Sequence, residues 1–113
     1  VEDRAHIVVF ITTATVEEAQ RIANILVRSR KAACVNIVPE VHSIFRWHGK
    51  MDSADEALLI VKTREALLDE LIELVKENHS YEVPEIVALP IVGGNPDCLR
   101  WLDAETEKNI HAD

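Results

Sequence analysis

Basic residues, cysteines, glycines and long apolar runs are all scarce in this chain, and each scarcity removes a class of function. Lysine and arginine together number 12 against 20 aspartates and glutamates, for a formal net charge of −8. A nucleic-acid binder needs a basic footprint, whereas this chain repels phosphate on average, so no nucleic-acid partner is expected. The local cluster of Arg28, Arg30 and Lys31 reads as the cationic end of a helix, opposing the negative pole of its dipole. The two cysteines, Cys34 and Cys98, lie far apart and form no CxxC pair. They read as reduced thiols, which makes the cytoplasm the expected compartment. The apolar runs are strand-sized, as from Ile7 to Ile11, far short of the roughly 20 residues of a membrane helix, so no membrane partner is expected. No basic, apolar, small-residue opening marks a signal peptide. Of the three glycines, two fall in Gly93-Gly94-Asn95-Pro96, which lacks a following Lys-Ser/Thr and reads as a turn, not a phosphate loop.

What remains is globular. Hydrophobic residues make up 48% and charged residues 28% of 113 positions, enough for one core, so 1–113 reads as a single domain with ragged ends at about 1–5 and 109–113. Ala5 to Thr13 is rich in β-branched residues and predicts a strand. Thr15 followed by Glu18 is a capping box that opens a helix from about Val16 to Arg30, its apolar stripe carried by Val16, Ala19, Ile22, Ala23 and Leu26. Ala33 to Trp47 is extended and interrupted by Pro39, which marks a bulge, a bend or an exposed edge. Gly49, Asp52 and Ser53 suggest the turn, with Glu56 to Thr63 as the returning strand. Glu65 to Asn78 predicts a second amphipathic helix, Glu85 to Ile91 a fourth strand, and about Pro96 to Lys108 a last helix. The β-α-β-β-α-β order with a terminal helix is an α+β, ferredoxin-like split-βαβ pattern with a long hairpin between its second and third strands.

The strands are apolar on both faces. Ile7, Val9 and Ile11 alternate with Val8 and Phe10, and Leu58 and Ile60 with Leu59 and Val61. Two helices cover one sheet face, so the other, about 350 Å² for four strands roughly 18 Å long, is left for a partner. Phe45 and Trp47 on the hairpin, with Trp101, add aromatic surface suited to a subunit interface. A homo-oligomer is expected, with the last helix as the alternative cover.

Five segments carry a family resemblance: Ala32-Ala33-Cys34-Val35-Asn36, Ile44-Phe45-Arg46-Trp47-His48-Gly49-Lys50, Ile60-Val61-Lys62-Thr63, His79-Ser80-Tyr81-Glu82-Val83-Pro84-Glu85 and Leu99-Arg100-Trp101-Leu102. In this order, from about Ile7 to Leu102, the chain resembles the CutA proteins, named for divalent-cation tolerance. The resemblance implies a homotrimer, architecturally similar to PII signalling proteins, whose hairpin arms embrace neighbouring subunits. It also implies a part in tolerance of copper or other divalent cations, with copper or another divalent cation as a possible bound ion.

The candidate ligands follow residue by residue. The five histidines, His6, His42, His48, His79 and His111, show no HxxxH spacing and no clustering with cysteine. His79 matches the family's His-Pro-Tyr-Glu-x-Pro-Glu stretch and is the imidazole candidate for a metal. The chain departs from copper-binding bacterial relatives in carrying Thr12 in place of a cysteine and Asn78 in place of a second histidine, and from the family stretch in carrying Ser80 in place of its first proline. Cys34 has two readings, a sulfur ligand or a buried small hydrophobe. Lys62, Tyr81, Glu82 and Glu85 make a second constellation, read either as a cleft that binds a cation or small anion or as an interfacial ion pair. Lys62 ends an apolar strand and predicts Glu82 or Glu85 as its partner.

Three functions are then in view. The first is a non-enzymatic trimer of the CutA kind. The second is a PII-like sensor of a nucleotide or other small ligand, which rests on architecture alone. The third is a small hydrolase of acyl phosphates, which would want a basic glycine-rich loop where this chain reads Thr12-Thr13-Ala14-Thr15.

Overall fold

The computed structural model describes residues 5–107; the expected last helix reaches Lys108, and His111 also lies outside the described residues. Strand β1 (His6–Thr13) leads through Thr15 into helix α1 (Val16–Arg28), and the Thr15 hydroxyl accepts from the Glu18 N–H at 3.1 Å. The helix ends before Arg30, which takes the left-handed conformation at φ 64°. Strand β2 (Cys34–Trp47) and strand β3 (Lys50–Arg64) form the hairpin, followed by a 3-10 turn at Glu65–Leu67 and helix α2 (Leu68–Asn78). Strand β4 (Ile86–Pro90) and helix α3 (Pro96–Glu105) complete the fold.

The sheet runs β2-β3-β1-β4 and every neighbouring pair is antiparallel, as the split-βαβ pattern requires. The register sets Val9 opposite Val61 and Ile11 opposite Leu59. These four side chains are fully enclosed and pack with Ile22 and Leu26 of α1 and Leu71 and Val75 of α2. Each such side chain contributes roughly 1.5–3 kcal/mol of burial.

The hairpin is longer than its sequence suggests. Gly49, Asp52 and Ser53 were expected to make the turn, but the turn is the dipeptide His48-Gly49, with φ of 51° and 77°, and Trp47 pairs with Lys50. Positive φ at both central residues matches the twist of the flanking strands. Asp52 to Asp55 therefore belong to β3, which has 15 residues and not the eight or so from Glu56 to Thr63. The register shifts by one residue between Val38 and Val41, around Pro39, which is the bulge the proline predicts. Cys34, Asn36 and Val38 before the shift and Val41, Ser43, Phe45 and Trp47 beyond it consequently share one side of the sheet.

That side is the open face. Val8 and Phe10, cross-strand from Leu89 and Val87, belong to it, and Val87 and Leu89 are each 48% exposed. Helix α3 meets the sheet near one end, where His6 bonds Asp103 at 2.9 Å and the Arg64 side chain bonds Thr106 at 2.8 Å. The basic cluster serves the same end. Arg30 donates to the carbonyls of Ala104 and Glu105 at the end of α3, and Lys31 pairs with Glu70 and Glu107.

Candidate functional site

The segment 79–85 between α2 and β4 is held to the tip of β1 by one buried carboxylate. Glu18, in the first turn of α1, accepts from the Ser80 N–H at 2.7 Å, the Ser80 hydroxyl at 3.0 Å and the Ala14 N–H at 3.3 Å. Burial alone would raise its carboxyl. The bonds from Ser80, the nearby His79 ring and the Ala14 N–H outweigh that and hold it below the ordinary carboxylate value.

The His79 imidazole, its side chain 0% exposed, lies beside Glu18. Its Nε2 is 2.7 Å from the Thr12 carbonyl, and its Nδ1 is 3.0 Å from the Tyr81 N–H. A carbonyl can only accept and an N–H can only donate, so in this network Nε2 is the donor and Nδ1 the acceptor.

Beyond His79 the chain opens a cleft of about 530 Å³ between the hairpin arm and this segment. Phe45, Trp47, Asp52, Ala54 and Glu56 line it from the arm, and Tyr81, Glu82 and Glu85 from the segment. The Tyr81 hydroxyl donates to Glu56 Oε2 at 2.7 Å. Burial first, then the bond to Glu56 and the negative charges of Glu56 and Glu18, push the phenol far above its usual ionisation range.

The second sequence constellation separates within the chain. Tyr81, Glu82 and Glu85 meet at the cleft, whereas Lys62 lies six residues along β3 from Glu56, a span of about 20 Å at strand rise. The partner of Lys62 is the Asn36 side-chain oxygen, not Glu82 or Glu85. Lys62 sits opposite Cys34 in the register, and the two face the same neighbour: Cys34 Sγ is 3.8 Å from that oxygen. Cys34 is half-buried on the open face and remote from His79. Phe45 and Trp47 face the cleft of their own chain, while Trp101 is exposed on α3. Of the other described histidines, His6 bonds Asp103, His42 bonds Asp55 and His48 packs against Trp47.

A resident metal does not fit these donors. Both ring nitrogens of His79 are committed to main-chain groups, Cys34 lies elsewhere, and among the described residues no three His, Cys, Asp or Glu side chains converge as a ligand set.

Two central residues escaped the sequence reading. Glu18 was legible as the last residue of a capping box, yet its carboxylate reaches back to Ala14 and across to Ser80. Glu56 was read as the start of a strand; only the tertiary approach of Tyr81 gives it a role.

Comparison with known proteins agrees with this architecture. The model of the family described as CutA1 divalent ion tolerance protein matches residues 7–105. The chloroplastic protein CutA 1 of Oryza sativa subsp. japonica is 50% identical over 91% of this chain and 58% of its own length. The divalent-cation tolerance protein CutA of Thermus thermophilus is 52% identical over 88% of this chain and 96% of its own. The crystal structure of CutA1 from Oryza sativa superposes with a TM-score of 0.90 at 48% identity, covering 93% of this chain and 96% of that one. This chain spans little more than half the length of the plant and mouse relatives it matches. With the matched span running from the first strand to the last helix, the chain belongs to the CutA1 divalent ion tolerance protein family.

Proposed function

We propose that the protein works as a homotrimer that serves divalent-cation tolerance by binding, without catalytic turnover. The observation that carries this is the unpartnered apolar surface of a single subunit: the open sheet face, with Val87 and Leu89 half-exposed, and the outward face of the arm, where Ile44 and Met51 are 67% and 70% exposed. Burying such a surface between subunits is favourable at about 25 cal/mol per Å². The arm reaches far enough past the sheet to lie on a neighbour. The number three and the link to cation tolerance are supported by family membership. Because the donors of one subunit do not fit a resident copper ion, the role is assigned to the assembly and to its clefts.

The free thiols Cys34 and Cys98 suit a reducing compartment, and a cytoplasmic location is proposed on that ground. Relatives carry other addresses in their names, chloroplastic in Oryza sativa and periplasmic in Archaeoglobus fulgidus.

Light scattering on the purified chain tests the assembly. The expected mass is three times the 12.7 kDa of the chain, and Leu89→Lys on the open face should lower it. A wild-type monomer at micromolar concentration would sink the proposal. The cellular role is tested by copper challenge of cells lacking their own relative; expression of this chain should restore growth.

A further inference from the structure

Family membership raises the expectation of a cation at His79, and the residues around it answer with a different chemistry. The side chains of Asn78, His79 and Ser80 are each bonded within the subunit. The Asn78 amide donates to the Leu74 carbonyl at 2.8 Å, inside the last turn of α2. His79 is held between the Thr12 carbonyl at 2.7 Å and the Tyr81 N–H at 3.0 Å. The Ser80 N–H and hydroxyl both donate to the Glu18 carboxylate, at 2.7 and 3.0 Å. Three elements are thereby tied together: the end of α2, the first turn of α1 and the tip of β1.

A metal ligand must offer a lone pair, and an imidazole has one only on its non-protonated nitrogen. On His79 that nitrogen is Nδ1, which accepts from the Tyr81 N–H, while Nε2 gives its proton to Thr12. An ion at either nitrogen would displace a main-chain group and leave it unpaired where the His79 side chain is 0% exposed. That displacement is costly. The carboxylate beside the ring, Glu18 Oε2 at 3.6 Å from Nδ1, already receives the Ser80 N–H. No third donor converges on the ring among the described residues. All these contacts lie inside one subunit, and the ring keeps no surface that a neighbour could reach. Assembly through the open sheet face and the arm therefore leaves them as they are.

We infer that His79 is the keystone of a clasp and not a seat for a cation. It shuts the segment before β4 onto the tip of β1, and a divalent ion reaches the ring only when the clasp opens. The inference goes beyond the assembly proposed above: whatever ion that assembly meets, the ring of His79 is not among its ligands.

Nuclear magnetic resonance of the full chain, isotope-labelled at histidine, tests it. The His79 ring is identified by its loss in His79→Gln. In the wild type its signals should show the proton on Nε2 and should stay in place through a several-fold excess of zinc chloride, an ion that imidazole suits. In Glu18→Ala, which removes the acceptor tying Ser80 to α1, the same ring should shift with zinc. Its N–H should also exchange about tenfold faster or more, as the clasp opens more often. Should Glu18→Ala fail to fold, Ser80→Ala, which removes the hydroxyl bond alone, is read in its place. A wild-type His79 ring that shifts saturably with zinc overturns the inference. So does a chelator competition in which folded His79→Gln binds zinc about tenfold more weakly than the wild type, the loss expected for one ligand. So too does a ring N–H that exchanges equally fast in the wild type and the folded clasp variant. The oligomeric mass is read separately, so a monomer sinks the assembly and leaves the clasp standing.

Discussion

His79 donates from Nε2 to the carbonyl of Thr12 at 2.7 Å, closing the segment before β4 onto the tip of β1. The two residues are 67 positions apart, and the contact passes through the backbone of Thr12, so it does not depend on the side chain at that position. Removing it has a calculable consequence. His79→Ala leaves the Thr12 carbonyl and the Tyr81 N–H without partners in an enclosed site and creates a cavity. A loss of about 2–4 kcal/mol is expected, read from urea unfolding. Copper affinity measured against a competing chelator should be unchanged in the folded variant, because neither ring nitrogen is available in the wild type.

Glu18→Gln should destabilise the chain in a pH-dependent way. The Glu18 carboxyl is held below its ordinary value of 4.5 in the folded state. The stability it contributes is therefore complete above that value and is lost as pH falls through the lower folded value. Wild type should exceed the variant by about 1–3 kcal/mol near neutrality, and the gap should close in acid. Urea midpoints across a pH series check this; a gap that stays constant would refute the account.

Tyr81 is the chain's one tyrosine, which makes its ionisation directly visible. Its phenol is raised from the usual 10.0 by burial and by Glu56, so the neutral form stabilises the fold below pH 10 and that contribution is lost as pH rises further. Tyrosinate absorbance should stay absent through pH 10 and appear only with unfolding. Tyr81→Phe, which strands a buried carboxylate, should cost about 1–3 kcal/mol.

Gly49→Ala tests the arm. A Cβ at Gly49 would meet nothing within 4 Å, but the residue sits at φ 77°. The cost is one of backbone conformation alone, about 1–2 kcal/mol. Thermal melting should show that loss, and amide exchange should quicken along residues 44–53 ahead of the core strands.

The element order was legible because its signals are local. Thr15 with Glu18 set the start of α1, and Pro39 marked the bulge. The extent of β3 was not, because Asp52, Ser53 and Asp55 are turn-formers by habit. They are held extended by pairing with Phe45, Ile44 and His42 on a strand that projects beyond the core, so no burial pattern announces them. The partner of Lys62 was misjudged for a related reason. Glu82 and Glu85 looked suitable by charge, whereas cross-strand register sets Lys62 beside Asn36 and Cys34. Within the candidate site, Tyr81, Glu82 and Glu85 could be read from the sequence. Glu18 and Glu56 could not, since each owes its role to a segment that meets it only on folding.

The single extra residue around Pro39 decides which way the whole arm faces. Side chains alternate along a strand, so one further insertion or deletion between Pro39 and Trp47 would turn Phe45 and Trp47 outward and bring Ile44 inward. Length variation in this arm is thereby quantised: related chains can grow or shorten it by pairs of residues in each strand and keep its sidedness, whereas an odd change must be matched by a second bulge.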